Sequence, residues 1–261
     1  ILFLCSCICT SQTKNQTDAN GLKQGYWEKM DDASKKIIYK GTFKDDKPQG
    51  TFYYYYKNSD SLRTKTEFRQ NGKIAYVIMH HLSTGKIEAK GKYVNEEKDS
   101  LWRFYDTSGT LISTENYLNG KKNGASKVYY PSGLVSEEKN YKNNLEDGPF
   151  KQYYGDKKIK GQGAFIAGQY NGLCSWHFNN GIAAAQGVYD NGVKKNVWIY
   201  KTQDGKITDK EVWQNGKQLN DKDKEAYFKA HPPAVEEKKI QTTTPQKTSP
   251  QKATNNTSPK K

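Results

Sequence analysis

The residue types that most often carry chemistry are sparse in the body of this chain. Its four histidines are His80, His81, His177 and His231, and Cys174 is the only cysteine after residue 9. His80 and His81 are adjacent, so in a strand they point to opposite faces and cannot bind one metal ion together. No Ser, Cys or Asp is spaced from a histidine as in a catalytic triad. The Walker, HExxH and EF-hand patterns are also missing. We therefore predict no enzyme activity, no cofactor and no metal site in the body of the chain.

The first residues, ILFLCSCICTSQ, are apolar and contain three cysteines. We interpret residues 1–13 as the end of a secretory signal or as a lipoprotein anchor, too short to span a bilayer. Leu4-Cys5-Ser6-Cys7 resembles the bacterial lipobox, in which a small residue precedes the lipidated cysteine, so Cys7 is the candidate for lipidation. Plain cleavage between Thr10 and Thr13 and a Cys-x-Cys-x-Cys metal site are the alternatives. The expected location is the bacterial cell envelope, in the periplasm or as an outer-membrane lipoprotein, or outside the cell.

The chain is strongly basic, with 42 Lys and Arg against 28 Asp and Glu. Such a balance favours anionic partners such as phospholipid head groups, acidic glycans or acidic proteins, although solubility alone also explains it. Residues 235–261 are rich in Pro, Thr and Lys and lack aromatic residues, so they are predicted to be a disordered basic tail. Residues 220–231 are predicted to form a short helix that ends before Pro232 and Pro233.

Residues 20–219 repeat with a period of 24 or 25 residues, which is the main signal in the sequence. The first ring column is Phe43, Phe68, Tyr93, Tyr117, Tyr141, Phe165, Tyr189 and Trp213. The second ring column is Trp27, Phe52, Val77, Trp102, Ser126, Phe150, Cys174 and Trp198. Two residues before the second column lie Gly25, Gly50, Ala75, Ser100, Gly124, Gly148, Gly172 and Asn196. Cys174 therefore occupies a packing position, and we interpret it as a small buried residue rather than a nucleophile.

Each repeat has the pattern of two short strands with tight turns. Asn119-Gly120, Asn191-Gly192 and Asn215-Gly216 accept the positive φ angles of hairpin turns. The predicted fold is all-β, an elongated single-layer antiparallel meander of about eight β-hairpins followed by the short helix and the tail. A propeller made from pairs of repeats is the alternative.

Side-chain positions within the predicted hairpins follow from strand alternation. Leu111 and Tyr117 are six residues apart and are expected on one face. Rings of the next strand are expected to lie over the glycines of the first-column strands, which are Gly41, Gly91, Gly163 and Gly187. At the corresponding position Glu115, Lys139 and Glu211 are expected to cover rings with their methylene groups.

The stretch TFYYYYKNSD, residues 51–60, has rings on both faces of one predicted strand. A single-layer sheet explains this, because Tyr packs its ring and keeps its hydroxyl in water. Rings of the two columns hold the repeats together and are not free to stack on bases, so no nucleic acid partner is expected. The off-column rings are candidates for a binding face: Tyr53, Tyr55, Tyr105, Tyr129 and Tyr153, with Tyr130, Tyr154 and Tyr170 also off the columns.

The repeat resembles the variant MORN repeat, with the pattern G-x-[YF]-x-[ND]-x-x-x-x-G-x-[FW]-x-x-Y. Gly41-Thr42-Phe43-Lys44-Asp45 through Gly50-Thr51-Phe52 to Tyr55 carries it, as does Gly187 to Trp198. The chain also looks like bacterial proteins of the YwqK antitoxin family. The resemblance implies scaffolding, phospholipid contact or neutralisation of a toxin, by analogy only. The sequence departs from the pattern at Ala75, Val77, Ser126 and Asn196.

We therefore expect a non-catalytic exported repeat scaffold that binds a protein or an anionic envelope component. An antitoxin or immunity protein that neutralises a partner toxin is the second hypothesis, and peripheral phospholipid binding is the third.

Overall fold

The computed structural model describes residues 13–232 of the chain. Cys7, nearly all of the predicted signal or anchor and the predicted tail at 235–261 lie outside these residues. The described residues form two compact units, a sheet that extends through Gln218 and a helical segment that starts at Leu219.

The sheet contains twenty strands in the described part of the chain. They are β1 (Gln16–Thr17), β2 (Lys23–Met30), β3 (Ile37–Lys44), β4 (Lys47–Tyr55), β5 (Leu62–Arg69), β6 (Ile74–His80), β7 (Ile87–Val94), β8 (Glu97–Tyr105), β9 (Leu111–Leu118), β10 (Lys121–Tyr129), β11 (Val135–Lys142), β12 (Leu145–Glu146), β13 (Gly148–Tyr153), β14 (Ile159–Ile166), β15 (Gln169–Tyr170), β16 (Gly172–His177), β17 (Ala183–Asp190), β18 (Val193–Lys201), β19 (Ile207–Gln214) and β20 (Lys217–Gln218).

All strand pairs are antiparallel, and each long strand pairs with the long strands before and after it in sequence. The short strands β12 and β13 both pair with β11, and β15 and β16 both pair with β14, so each couple is one interrupted strand. The result is a continuous meander in one open sheet, which confirms the predicted fold class. A propeller would divide these strands among separate blades, so that alternative is wrong.

The turns that follow the first ring column confirm the prediction of positive φ. Both central residues are left-handed in Asn119-Gly120, Asn191-Gly192 and Asn215-Gly216, as hairpin turns of two residues require. The β5–β6 turn differs, because Arg69 pairs with Ile74 and four residues lie between them. The third repeat therefore uses two more residues in its turn than its neighbours do.

A β-bulge precedes the second ring column in the other repeats. Ser100 and Asn196 have positive φ there, like the glycines at this position, whereas Ala75 does not. The β5–β6 ladder is accordingly free of register shifts from Arg69 to Thr64. The longer turn of the third repeat thus replaces its bulge.

A second bulge overturns the expected position of Leu111. The β8–β9 register shifts between Phe104 and Tyr105, so that Leu111 pairs with Tyr105 and Ser113 pairs with Phe104. Residues directly opposite each other in an antiparallel pair share a face. Leu111 therefore lies on the face of Tyr105, not on that of Tyr117, because the bulge interrupts the alternation.

The core lies on one face of the sheet, which we call the column face. Phe52, Trp102, Phe150 and Trp198 of the second ring column are each at most 2% exposed. An added Cβ at Gly91 would overlap the Trp102 ring, and the same holds for Gly41 under Phe52 and Gly187 under Trp198. Phe52, Trp102 and Trp198 therefore each lie over a glycine of the preceding strand, and only glycine leaves the space for the ring.

Rings of the first column pack edge-to-face against these rings. Trp102 meets Tyr93 with ring centroids 5.0 Å apart in a T-shaped arrangement, and Phe52 meets Phe43 and Phe68 at 5.0 and 5.2 Å. Such edge-to-face pairs add about 0.5–1.5 kcal/mol beyond the buried area. Stacking between successive hairpins thus takes the place of a second layer.

Cys174 is fully buried, and Tyr170 fills the space beside it. The Tyr170 ring stacks on Phe165 at 4.5 Å and on Tyr189 at 5.1 Å. Burial raises the pKa of the Cys174 thiol, as expected for an inert packed residue. Tyr170 is therefore a core residue, and the prediction that it is a spare off-column ring is wrong.

The helical segment contains α1 (Asp221–Ala230). Asn220 is its N-cap, and its side-chain oxygen accepts a hydrogen bond from the backbone N–H of Asp223 at 3.0 Å. At ten residues α1 is too short to cross a membrane, and no other helix is described.

Candidate functional site

The face opposite the column face carries one residue from each strand in a continuous transverse line. The register pairs each member with the next, from β3 to β13: Lys40, Tyr53, Lys65, Ile78, Lys90, Arg103, Thr114, Lys127, Glu138 and Lys151. We call this line the basic row. Six of its ten members are cationic, and one is acidic.

The spacing of the basic row follows from sheet geometry. Neighbouring strands lie about 4.8 Å apart, so Lys40, Lys65 and Lys90, on alternate strands, are about 10 Å apart along the row. Among residues 13–232, no carboxylate forms an ion pair with Lys65, Lys90 or Arg103. This half of the row therefore presents uncompensated positive charge at a regular interval.

Three of the predicted binding tyrosines lie beside these cations. The Lys40 ammonium is 5.7 Å from the ring centroids of both Tyr53 and Tyr55, and Lys90 is 5.5 Å from that of Tyr105. A hydrogen bond with Tyr55 raises the pKa of Lys40, so this lysine keeps its charge at neutral pH. Cation–π attraction of this kind orders the lysine without neutralising it.

The other two predicted tyrosines lie in a compensated part of the row. Tyr153 donates to Glu138 at 3.2 Å, and Lys127 binds the same carboxylate at 2.8 Å. The hydrogen bond from Lys127 lowers the pKa of Glu138. Tyr129 lies 3.4 Å from the Thr114 hydroxyl. The structure thus brings all five tyrosines to the face of the basic row, but its free charge lies near Tyr53, Tyr55 and Tyr105.

The tyrosines at the strand ends rest against aliphatic side chains. Tyr55 pairs with Leu62, Tyr105 with Leu111. Tyr129 pairs with Val135 and Tyr153 with Ile159 in the same way. Each ring is half-buried. One side of the ring is therefore anchored while the remainder stays accessible, as at many recognition surfaces.

Two histidines occupy the same positions as these tyrosines in other repeats. His80 pairs with Ile87 and His177 with Ala183, as Tyr105 does with Leu111. The Nδ1 atoms of both histidines are buried and lack a hydrogen-bond partner, and burial lowers the pKa of His177. The described residues contain no group of three His, Cys, Asp or Glu side chains that could hold a metal ion.

Hydroxyl and imidazole groups link the strand ends of successive hairpins, which sequence reasoning missed. Tyr56 donates to the His80 carbonyl at 2.5 Å, and His81 Nε2 lies 3.0 Å from the Tyr105 carbonyl. Tyr130 and Tyr154 donate to carbonyls of the next repeat at 2.7 Å. The last two rings, predicted as off-column candidates, therefore fasten one hairpin to the next.

The lysines of the basic row were also missed, although the sequence carries a signal for them. Lys40, Lys65 and Lys90 each lie three residues before a ring of the first column. Their odd spacing from that column places them on the opposite face, because strand side chains alternate.

Within this geometry two neighbouring hairpins carry a recognisable repeat. Residues 98–119 and 122–143 match the MORN repeat variant. The first MORN copy contains most of β8 and all of β9, and the second contains β10 and β11 but for one residue. A MORN copy is thus one hairpin of the sheet, and each copy contributes two members to the basic row.

A comparison with curated proteins finds no match. Among solved structures, a mutant of S. aureus TarM in complex with Fondaparinux, α-GlcNAc-glycerol and UDP is 6% identical, with a TM-score of 0.23 over 47% of this chain and 19% of that one. The Photorhabdus luminescens Tc holotoxin pore is 11% identical, with a TM-score of 0.19 over 78% and 15% of the two chains. A porin-like protein from Bacteroides uniformis is 9% identical, with a TM-score of 0.16 over 79% and 96%. The chain spans about a fifth of TarM, and none of these similarities carries a functional argument.

Proposed function

We propose that this chain is a non-catalytic repeat scaffold that binds an anionic protein or envelope component along the basic row. The observation that carries the proposal is the regular line of Lys40, Lys65, Lys90 and Arg103, with Tyr53, Tyr55 and Tyr105 beside it. Lys65, Lys90 and Arg103 have no carboxylate partner among residues 13–232, so they are expected to attract anions.

The geometry defines the partner more narrowly than net charge does. Anionic groups about 10 Å apart would each meet one lysine of the row, and the tyrosines offer ring faces and hydroxyls between them. An acidic protein surface, an anionic glycan or a layer of anionic head groups has such repeated charge. Because the cations are solvent-accessible, binding is expected to weaken as salt rises.

A charge-reversal triple variant tests the proposal. Lys65→Glu, Lys90→Glu and Arg103→Glu together invert the row, whereas Lys47→Glu, Lys121→Glu and Lys142→Glu make the same change in net charge near the turns. Binding partners are captured from envelope and cytosol fractions with each protein and identified by mass spectrometry. A partner retained by wild type and by the turn variant but lost by the row variant supports the proposal. Equal loss in both variants means that net charge alone mediates binding, and equal retention removes the row from the interface.

Binding to phospholipid is tested by flotation with vesicles that contain about a third phosphatidylglycerol, over a salt series. Absence of the wild-type protein from the vesicles at low salt would leave a protein or glycan as the partner.

Export and neutralisation of a toxin stay proposals that rest on the N-terminal residues and on the resemblance to antitoxins. Cell fractionation tests the first. The second would be supported by a captured toxin whose activity is inhibited by the wild-type protein but not by the row variant.

A further inference from the structure

The column face contains a groove in the third repeat that the basic row does not involve. The groove has a volume of about 540 Å³ and runs along β5 and β6. Three register pairs form its floor: Thr64 with Met79, Thr66 with Val77, and Phe68 with Ala75. Tyr54 and Tyr93 are also part of its lining. A volume of this size is typical of ligand sites.

The groove is open because of the longer β5–β6 turn. In several other repeats a bulge brings a long side chain opposite the first-column ring, such as Lys98 opposite Tyr93, Lys122 opposite Tyr117 and Lys194 opposite Tyr189. In the third repeat Ala75 lies opposite Phe68 and, on its other side, opposite Tyr93. A methyl group therefore occupies a position that a long side chain fills elsewhere.

The same protein shows what fits between two such rings. Tyr170 lies opposite Phe165, and its ring stacks on Phe165 at 4.5 Å and on Tyr189 at 5.1 Å. Phe68 and Tyr93 are the equivalents of Phe165 and Tyr189, each four repeats earlier. Where the chain has Tyr170 in one repeat it has Ala75 in the other, and Ala75 lines the groove although it is only 8% exposed. The third repeat therefore has the two flanking rings without a ring between them.

Charge at the two ends of the groove is unequal. Lys73 and Glu96 both line the end near the turn. Arg63 lines the other end, where the groove contains no acidic side chain, and no ion pair within residues 13–232 involves it. An anionic group is therefore favoured at the Arg63 end.

We propose that the groove binds an extended segment of a partner protein through one aromatic side chain and one carboxylate. The ring enters between Phe68 and Tyr93, as Tyr170 does between its own neighbours, and the carboxylate meets Arg63. Phe68 and Thr64, beside Arg63, are four residues apart on one strand, or about 13 Å. An acidic residue four positions from the aromatic residue in an extended segment spans that distance.

The test uses the full chain and the acetylated, amidated pentapeptide WGSGE. Methyl groups of Ala75, Val77 and Met79, which line the groove, are followed by NMR as peptide is added. We expect saturable shifts of these methyl signals with a Kd of about 1 mM, as suits one ring and one ion pair. The peptide with Ala in place of Trp should give no shift of these signals.

Ala75→Tyr should fill the groove with its own ring and should therefore lower the affinity for the peptide at least tenfold. The matched control is Ala125→Tyr, which adds the same ring at an exposed position in β10 and should leave the affinity unchanged. The fold of both variants is checked by circular dichroism. If Ala75→Tyr is misfolded, the test is made with Arg63→Gln instead. This variant should weaken WGSGE several-fold but leave the Gln-ended peptide WGSGQ unaffected.

Absence of methyl shifts in wild type at about 10 mM peptide would overturn the proposal. So would equal binding to wild type and to a folded Ala75→Tyr variant. Equal effects of Arg63→Gln on WGSGE and WGSGQ would contradict the carboxylate contact. Shifts produced by a detergent or a fatty acid but not by the peptide would assign the groove to an apolar small molecule instead.

Discussion

The second ring column is interrupted at Val77 in β6, at Ser126 in β10 and at Cys174 in β16, and the surroundings of the first two differ. Val77 lies between Thr66 and Gly91 and packs with Trp102, so it is only 5% exposed, and the groove runs beside it along β5 and β6. Ser126 lies between Glu115 and Lys139. Their long side chains cover the gap, and Ser126 is buried although it is small and polar.

Ion pairs hold the cover over Ser126 in place. Glu115 accepts from Lys122 at 2.6 Å, and Lys139 binds Glu146 at 2.9 Å and Glu137 at 3.1 Å. Long charged neighbours thus cover the gap at Ser126, whereas the Tyr170 ring fills the space beside Cys174, whose neighbours Gly163 and Gly187 are short. The difference lies in whether the flanking strands supply a large side chain, not in the residue that replaces the ring.

The largest expected effect is at the intact ring between the first two interruptions. Trp102→Ala should lower the free energy of unfolding by about 3–5 kcal/mol, because it leaves a cavity over Gly91. Val77→Ala should cost less, about 2 kcal/mol, because Val77 is buried against Trp102 but loses only two methyl groups beside the groove. Urea denaturation measures both. Equal losses would mean that the groove is closed in solution.

The next effect concerns the network at Ser126. Lys139→Met removes the shared partner of Glu137 and Glu146 and leaves two half-buried carboxylates together, which should cost about 2 kcal/mol. Adding Glu137→Gln and Glu146→Gln to the same protein should recover most of that loss. If Lys139→Met alone is neutral, the cover over Ser126 is maintained by the methylene groups and not by charge.

Alkaline pH should weaken the Ser126 region more than the Val77 region. Burial and then the hydrogen bond to Glu115 raise the pKa of Tyr117. Burial alone would lower the pKa of Lys139, but hydrogen bonds to Glu146 and Glu137 outweigh it and raise the value. Groups whose folded pKa is raised stabilise below their unfolded pKa, so this contribution is lost as pH rises above about 10.

Tyr117→Phe should therefore flatten the fall in stability between about pH 9 and pH 11. The measurement is the urea midpoint across that range for wild type and variant, with Tyr76→Phe on the opposite face as the control. An unchanged slope in Tyr117→Phe would show that other tyrosines dominate the alkaline limb.

The smallest expected effect is from filling the groove. Ala75→Tyr should raise the free energy of unfolding by at most about 1 kcal/mol, since the ring gains contacts with Phe68 and Tyr93 but loses rotamer freedom. Thermal unfolding measures it against Ala125→Tyr. A large destabilisation would mean that Phe68 and Tyr93 do not leave room for a ring, contrary to the example of Tyr170.

Much of the architecture was predictable because the same residue types recur at the same positions of each repeat. Three features specify hairpins that stack on their neighbours. They are the 24- or 25-residue spacing of the rings, the Asn-Gly turns and the glycines under the large rings. Glu115 and Lys139 were also predicted to cover rings. The tyrosines on the opposite face were predicted as a group, but the lysines beside them were overlooked, because a lysine on a basic chain is not distinctive until the register aligns it with others.

The sequence by itself determined the hairpin repeat, the open antiparallel sheet and the division of rings between two faces, since each depends on periodicity and on local turn preferences. Only the tertiary structure decided which residues lie opposite each other. Bulges shift the register by a residue, which moved Leu111 to the tyrosine face and placed Tyr170 in the core, whereas the absence of a bulge in β5–β6 left Ala75 between two rings. The basic row and the groove both arise from that register, because neighbours in the row are 11 to 13 residues apart in sequence and only strand pairing brings them together.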